Sequence, residues 1–69
     1  MDNQHLITMA NQIGQFFETN GANGQRDAAE HIQKFWAPSM REAMAQLLPT
    51  EQARDLTPFM RNALTNMEK

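Results

Sequence analysis

A helix-breaking proline in the middle of the chain, Pro38, limits the possible fold more than any other feature. It follows Phe35-Trp36-Ala37, which brings the only tryptophan beside a phenylalanine. Proline disfavours helical backbone at the residue before it and clashes with the preceding helical turn, yet it suits the first turn of a new helix. The sequence therefore predicts a helix, a corner and another helix, with Phe35 and Trp36 wedged inside the corner.

Apolar residues on both sides of this corner recur at steps of three and four, which is the spacing of one helix face. Four helices are predicted from these repeats, at residues 4–18, from 26 or 27 into the corner, at 38–48, and from 58 to near the C-terminus. On the first of them the expected apolar stripe is Leu6, Met9, Ile13 and either Phe16 or Phe17. A further helical turn capped by Thr50 is predicted at 50–55.

No stretch shows sustained apolar and polar alternation with β-branched residues, so no strand is predicted. The predicted fold class is all-α: a small bundle of three main helices plus a short C-terminal helix, with the proline corner between the second and third. With 69 residues, the chain is expected to form one domain, 1–69, with a modest core.

The composition excludes several functional classes. No cysteine is present, so no disulfide or thiolate metal site is available. Six basic and eight acidic residues give a net charge of −2 without a basic run, which argues against nucleic-acid binding. No apolar run reaches membrane-spanning length and no secretory signal is recognised, so a cytoplasmic protein without membrane association is expected.

Few residues are suited to catalysis or metal binding. The two histidines, His5 and His31, do not have the spacing of metal ligands on one helix. The only serine, Ser39, follows Pro38, where a hydroxyl more plausibly serves free helix N–H groups than nucleophilic attack. The expectation is a protein that is not an enzyme and that has no metal or cofactor of its own.

Two residues near the corner have a second interpretation as partner contacts. His31 is either a boundary histidine that is hydrogen-bonded to a helix end, or a partner contact or pH-sensitive element. Arg41 is either a solvated arginine or a guanidinium that stacks on an aromatic ring or pairs with a carboxylate, including one on another protein.

Three blocks of sequence, in order, also carry a resemblance to a known family. They are Met-Ala-Asn-Gln-Ile-Gly-Gln-Phe-Phe at 9–17, Ala-Ala-Glu-His-Ile-Gln-Lys-Phe-Trp-Ala-Pro-Ser-Met-Arg at 28–41, and Leu-Thr-Pro at 56–58 followed by Ala63-Leu64. The chain resembles, over nearly its whole length, the delta subunit of NAD-dependent, molybdenum- or tungsten-containing formate dehydrogenase. One departure is Ser39, where that family usually has arginine.

The resemblance implies a non-catalytic accessory subunit that binds the catalytic subunit of a cytoplasmic formate dehydrogenase and assists its assembly, maturation or stability. In that family the large subunits carry the molybdopterin, iron–sulfur and flavin cofactors. Together with His31, the implied partner-binding residues are Phe35, Trp36, Pro38, Met40 and Arg41. Two alternatives stay open: a self-associating helical protein that forms a homodimer, and a small DNA-binding regulator, against which the charge balance counts.

Overall fold

The structure, a computed structural model that describes residues 2–67, consists of four α-helices and two short 3₁₀ segments. The helices are α1 (Asn3–Phe17), α2 (Gly24–Phe35), α3 (Pro38–Leu47) and α4 (Pro58–Met67), and the 3₁₀ segments are Glu18–Asn23 and Glu51–Ala53. No strand occurs within residues 2–67. The prediction of an all-α fold with three helices and a short C-terminal helix is confirmed.

Most helix boundaries follow from local sequence signals. The Asp2 carboxylate accepts a hydrogen bond from the Gln4 backbone N–H at 3.3 Å and caps α1. Thr50 caps the second 3₁₀ segment in the same way, and the Thr57 hydroxyl accepts from the Met60 N–H at the start of α4. These caps account for three of the predicted element starts.

The proline corner is also confirmed. Trp36 and Ala37 are extended, with ψ angles of 140° and 150°, and Pro38 begins α3 in its first turn. Trp36 is only 6% exposed and belongs to the core, as predicted. Phe35, by contrast, is 71% exposed, so the prediction that both rings lie inside the corner is wrong for Phe35. Adjacent residues at a helix end project in different directions, and here only Trp36 projects inward.

The buried side chains form one apolar cluster, drawn from all four helices and the segment after α3. Its members are Leu6, Ile7, Ala10, Ala28, Ile32, Trp36, Met44, Leu47, Ala53, Leu56, Met60, Ala63 and Leu64. On α1 the predicted stripe is rotated, because Ile7 and Ala10 are fully buried whereas Met9 and Ile13 are only half-buried. The half-buried pair lies at the edge of the core and borders the surface described below.

Gly14 permits close contact between α1 and α4. A Cβ atom at this position would lie 2.5 Å from Cγ of Met60, which is fully buried. This distance is far shorter than a carbon–carbon contact, so no larger residue fits without movement of Met60. Gly14 is therefore not an exposed glycine that the helix merely tolerates, but the point where α4 approaches α1 closely.

Two polar side chains connect the helices to the irregular segment before α4. The Asn11 amide donates to the Asp55 carbonyl at 2.9 Å and accepts from the Thr57 N–H at 3.0 Å. The Arg61 guanidinium donates to the carbonyl oxygens of Leu48 and Ala53, at 3.3 and 2.7 Å. These hydrogen bonds are made to backbone groups that have no hydrogen-bond partner within a regular helix.

Candidate partner-binding surface

Within residues 2–67, the two large apolar side chains that the fold leaves exposed are both phenylalanines. Phe16, at the end of α1, is 73% exposed, and Phe35, at the end of α2, is 71% exposed. A single exposed apolar residue is ordinary in a folded protein, whereas a contiguous apolar patch often marks a binding site. The two phenylalanines therefore indicate a binding site only if they belong to one contiguous patch.

Their rings are connected by two further rings, so that four side chains form a continuous row. The ring centroids of Phe16 and Phe17 lie 5.0 Å apart, those of Phe17 and His31 5.6 Å, and those of His31 and Phe35 4.7 Å. All three distances lie in the range of favourable aromatic contacts. We call Phe16, Phe17, His31 and Phe35 the aromatic row.

An open groove of about 420 Å³ lies beside this row. Its lining combines Met9, Gln12 and Ile13 of α1 with Phe16, Phe17 and His31 of the aromatic row. None of these six residues is an aspartate, glutamate, lysine or arginine. Such a surface is suited to apolar side chains, and the flexible thioether of Met9 allows it to adapt to their shape.

The connection between α1 and α2 brings the row together. The Glu18 N–H donates to the Gly14 carbonyl and closes the last turn of α1. Gly21 then has a φ of 72°, a left-handed conformation that favours glycine, and turns the chain back. Gly24 begins α2 so close to α1 that a Cβ atom there would lie 2.5 Å from the Phe17 carbonyl oxygen. This return places the side chain of His31 against Phe17.

The structure divides the six predicted partner-binding residues between surface and core. His31 and Phe35 lie side by side in the aromatic row. Trp36 belongs to the core, and Met40 is half-buried against that core. Pro38 is exposed at the start of α3. Only His31 and Phe35 are therefore brought together as surface neighbours by direct ring contact.

Arg41, the sixth of these residues, lies on α3 and is half-buried. Its Nε atom is fully shielded from solvent and has no hydrogen-bond acceptor among residues 2–67. A buried donor without an acceptor is uncommon and costs free energy.

Sequence reasoning did not identify Phe16, Phe17 and Met9 as part of a site. It assigned Met9 and one of the two phenylalanines to the core stripe of α1. A signal was nevertheless present, because two consecutive large aromatic residues at the end of a helix cannot both face the same core. One phenylalanine of such a pair is therefore a candidate surface residue, and here it is Phe16.

In the part of the chain that the structure describes, no three histidine, cysteine, aspartate or glutamate side chains come together as a group that could hold a metal ion. None of the helices within residues 2–67 combines the length and the apolar character that crossing a membrane requires.

Comparison with known families shows which family the chain belongs to. Residues 5–64 match the model of the family described as NADH-dependent formate dehydrogenase delta subunit FdsD. The matched range contains all four residues of the aromatic row and the proline corner. No curated protein and no solved structure shows significant similarity to the chain. Because the match extends over most of the 69 residues, the chain belongs to the FdsD family of formate dehydrogenase delta subunits.

Proposed function

We propose that this delta subunit is a non-catalytic accessory protein that binds the catalytic subunit of a cytoplasmic NADH-dependent formate dehydrogenase and assists its assembly, maturation or stability. Family membership supports association with such a complex. The observation that supports binding through a specific surface is the aromatic row with its two exposed phenylalanines.

Burial of this surface supplies free energy for binding. Covering one exposed phenylalanine is worth roughly 1.5–3 kcal/mol in transfer free energy. Phe16 and Phe35 stand at opposite ends of the row, and the groove beside Phe16 offers space for side chains of the partner. Aromatic residues and methionine are enriched in the central parts of protein interfaces. The row is therefore the proposed centre of the contact.

The non-catalytic role rests on the chemistry of this surface. Apart from His31, the side chains of this surface are phenylalanine, methionine, isoleucine and glutamine, which do not transfer protons or attack substrates. His31 has no nucleophile or carboxylate beside it among the residues that line the groove. In this proposal the cofactors and the formate chemistry belong to the partner subunits, and the delta subunit contributes binding energy alone.

The first test is substitution of both exposed phenylalanines. The double variant Phe16→Gln/Phe35→Gln removes the exposed rings and replaces them with a residue of good helix propensity. We expect it to bind the enzyme at least about tenfold more weakly, which corresponds to about 1.4 kcal/mol of binding free energy. The measurement is the amount of large formate dehydrogenase subunits that co-purify with the tagged protein from its native host, followed by titration of the purified components.

The control is Gln33→Ala, at an exposed position of α2 that lines a different groove. It should co-purify like the wild type, and all variants should retain helical circular dichroism. Undiminished binding of the double variant would refute the aromatic row as the contact. If instead the wild type runs as a dimer in sedimentation equilibrium and the double variant as a monomer, the surface serves self-association.

Arg41 provides a second test, because it is a half-buried cation on α3, just after the proline corner. In the proposal a carboxylate of the partner subunit accepts from the guanidinium. Arg41→Ala should therefore weaken binding about fivefold or more with little change in helical content, since hydrogen bonds between charged groups contribute about 1.5–3 kcal/mol. Arg41→Lys should restore only part of the affinity, because lysine lacks the planar fork of donors.

Arg54, which is exposed after α3, supplies the matched control. Arg54→Ala removes the same charge elsewhere on the surface and should leave the dissociation constant unchanged. Equal effects of the two alanine variants would mean that net charge, and not a specific contact of Arg41, determines the affinity.

A further inference from the structure

The connection between α1 and α2 contains two asparagine–glycine pairs, Asn20-Gly21 and Asn23-Gly24. In such pairs the backbone nitrogen of the glycine can attack the side-chain amide of the asparagine, since glycine has no side chain to hinder the approach. The attack requires rotation of the backbone between the two residues. The local structure therefore decides which pair reacts.

The backbone of the first pair, Asn20-Gly21, is exposed and not packed against other side chains. Asn20 and Gly21 are both exposed, and apart from the adjoining chain no atom lies within 4 Å of the position that a Cβ atom on Gly21 would occupy. Gly21 also interrupts the 3₁₀ segment, with φ 72° and ψ −143°. Rotation at this point disturbs no packed side chain.

The backbone of the second pair, Asn23-Gly24, is restrained by packing. Gly24 is buried at the start of α2, and its N–H donates to the Gly21 carbonyl. The place of its absent Cβ lies 2.5 Å from the Phe17 carbonyl oxygen and 3.3 Å from the Phe59 ring. This hydrogen bond ends on Gly21 and so restrains both pairs, whereas rotation between Asn23 and Gly24 would in addition force the backbone into the packed atoms of Phe17 and Phe59.

We propose that Asn20 is a site of spontaneous deamidation and that the fold protects Asn23 from the same reaction. The Gly21 nitrogen forms a bond to Cγ of Asn20 and loses its proton, the amide C–N bond breaks, and ammonia leaves. Water then opens the resulting succinimide ring at one of its two carbonyl carbons. The products are aspartate and isoaspartate, and no oxidant or reductant takes part.

The modification adds one negative charge to a chain whose net charge is −2. It introduces this charge three residues after Phe17, in the segment that links the two helices of the aromatic row. The isoaspartate product additionally inserts a methylene group into the backbone there. This inference stands on the geometry of the two glycines and does not depend on the proposed function.

The test compares the two sites in one molecule. The purified full chain is incubated in mildly alkaline buffer, folded in one sample and unfolded in concentrated urea in another. Peptide mass spectrometry with fragmentation measures the rate at each asparagine, and the single variants Asn20→Gln and Asn23→Gln confirm the assignment of each product.

In urea the two sites should react at rates within about twofold of each other, because both are asparagine–glycine pairs. In the folded chain Asn20 should keep a similar rate, whereas Asn23 should react at least tenfold more slowly. Protection of Asn20 to the same degree as Asn23, or faster reaction at Asn23, would overturn the proposal.

Discussion

Replacement of Trp36 by alanine is expected to lower the free energy of unfolding by about 3–5 kcal/mol. Trp36 is 6% exposed and belongs to the apolar cluster, so its removal leaves a cavity that a small core fills poorly. A domain of this size has a total stability of only about 5 kcal/mol or somewhat more, so the variant should be largely unfolded in mild urea. Urea titration followed by far-ultraviolet circular dichroism measures this loss.

The neighbouring residue provides the control. Phe35→Ala removes a ring of comparable size from an exposed position and should change the unfolding free energy by no more than about 0.5 kcal/mol. The same substitution should weaken partner binding, whereas Trp36→Ala affects binding only through loss of the fold. A stable Trp36→Ala variant would contradict the placement of the indole in the core.

Replacement of Gly24 by alanine is the second substitution with a large expected effect. Helix propensity alone favours alanine over glycine by up to about 1 kcal/mol. The geometry reverses the sign, since the new methyl group would lie 2.5 Å from the Phe17 carbonyl oxygen, a backbone atom with little freedom to move. We expect a net destabilisation of about 1–3 kcal/mol, as for other overpacked sites.

Gln25→Ala, one residue further along α2, is the appropriate comparison for this variant. It places alanine in the same helical turn without the steric conflict and should unfold at nearly the wild-type urea concentration. A Gly24→Ala protein as stable as the wild type would show that α1 and α2 can separate slightly at little cost. The contact between Phe17 and His31 would then be looser than the structure indicates.

The fold was largely predictable because its signals are local. Pro38 after Trp36-Ala37, and Thr57 before Pro58, act within one or two residues through steric clash and side-chain capping. The predicted starts of α3 and α4 agree with the structure for this reason. The start of α2 was placed two or three residues late, because Gly24 was assigned to a loop rather than to a close helix contact.

The binding surface was predictable only in part. His31 and Phe35 were identified from one stretch of sequence, but the aromatic row also needs Phe16 and Phe17 from another helix. Which of two adjacent aromatic residues faces inward depends on how the helices pack, and periodicity resolves this direction to about one residue. The same uncertainty explains why the predicted stripe contained Met9, whereas the fully buried residue is Ile7.

Hydrogen bonds from side chains to distant backbone groups could not be predicted from the sequence. Arg61 donates to carbonyl oxygens 8 and 13 residues away, and nothing in the identities of Ala53 and Leu48 indicates that their carbonyls need a donor. The Asn11 side chain likewise bonds to the backbone of Asp55 and Thr57, 44 and 46 residues away, which its position on α1 does not indicate.

The Asn11 bridge has an evolutionary consequence. Both of its partners are main-chain atoms, the Asp55 carbonyl and the Thr57 N–H, so the bond itself places no demand on the side chains at these positions. Proline is the exception, since at 57 it would remove the N–H that Asn11 accepts. The proline that opens α4 lies at 58, where the missing donor is tolerated. A change of side chain at 55 therefore leaves this bridge intact, whereas moving Pro58 one position earlier would remove one of the two hydrogen bonds that tie α1 to the start of α4.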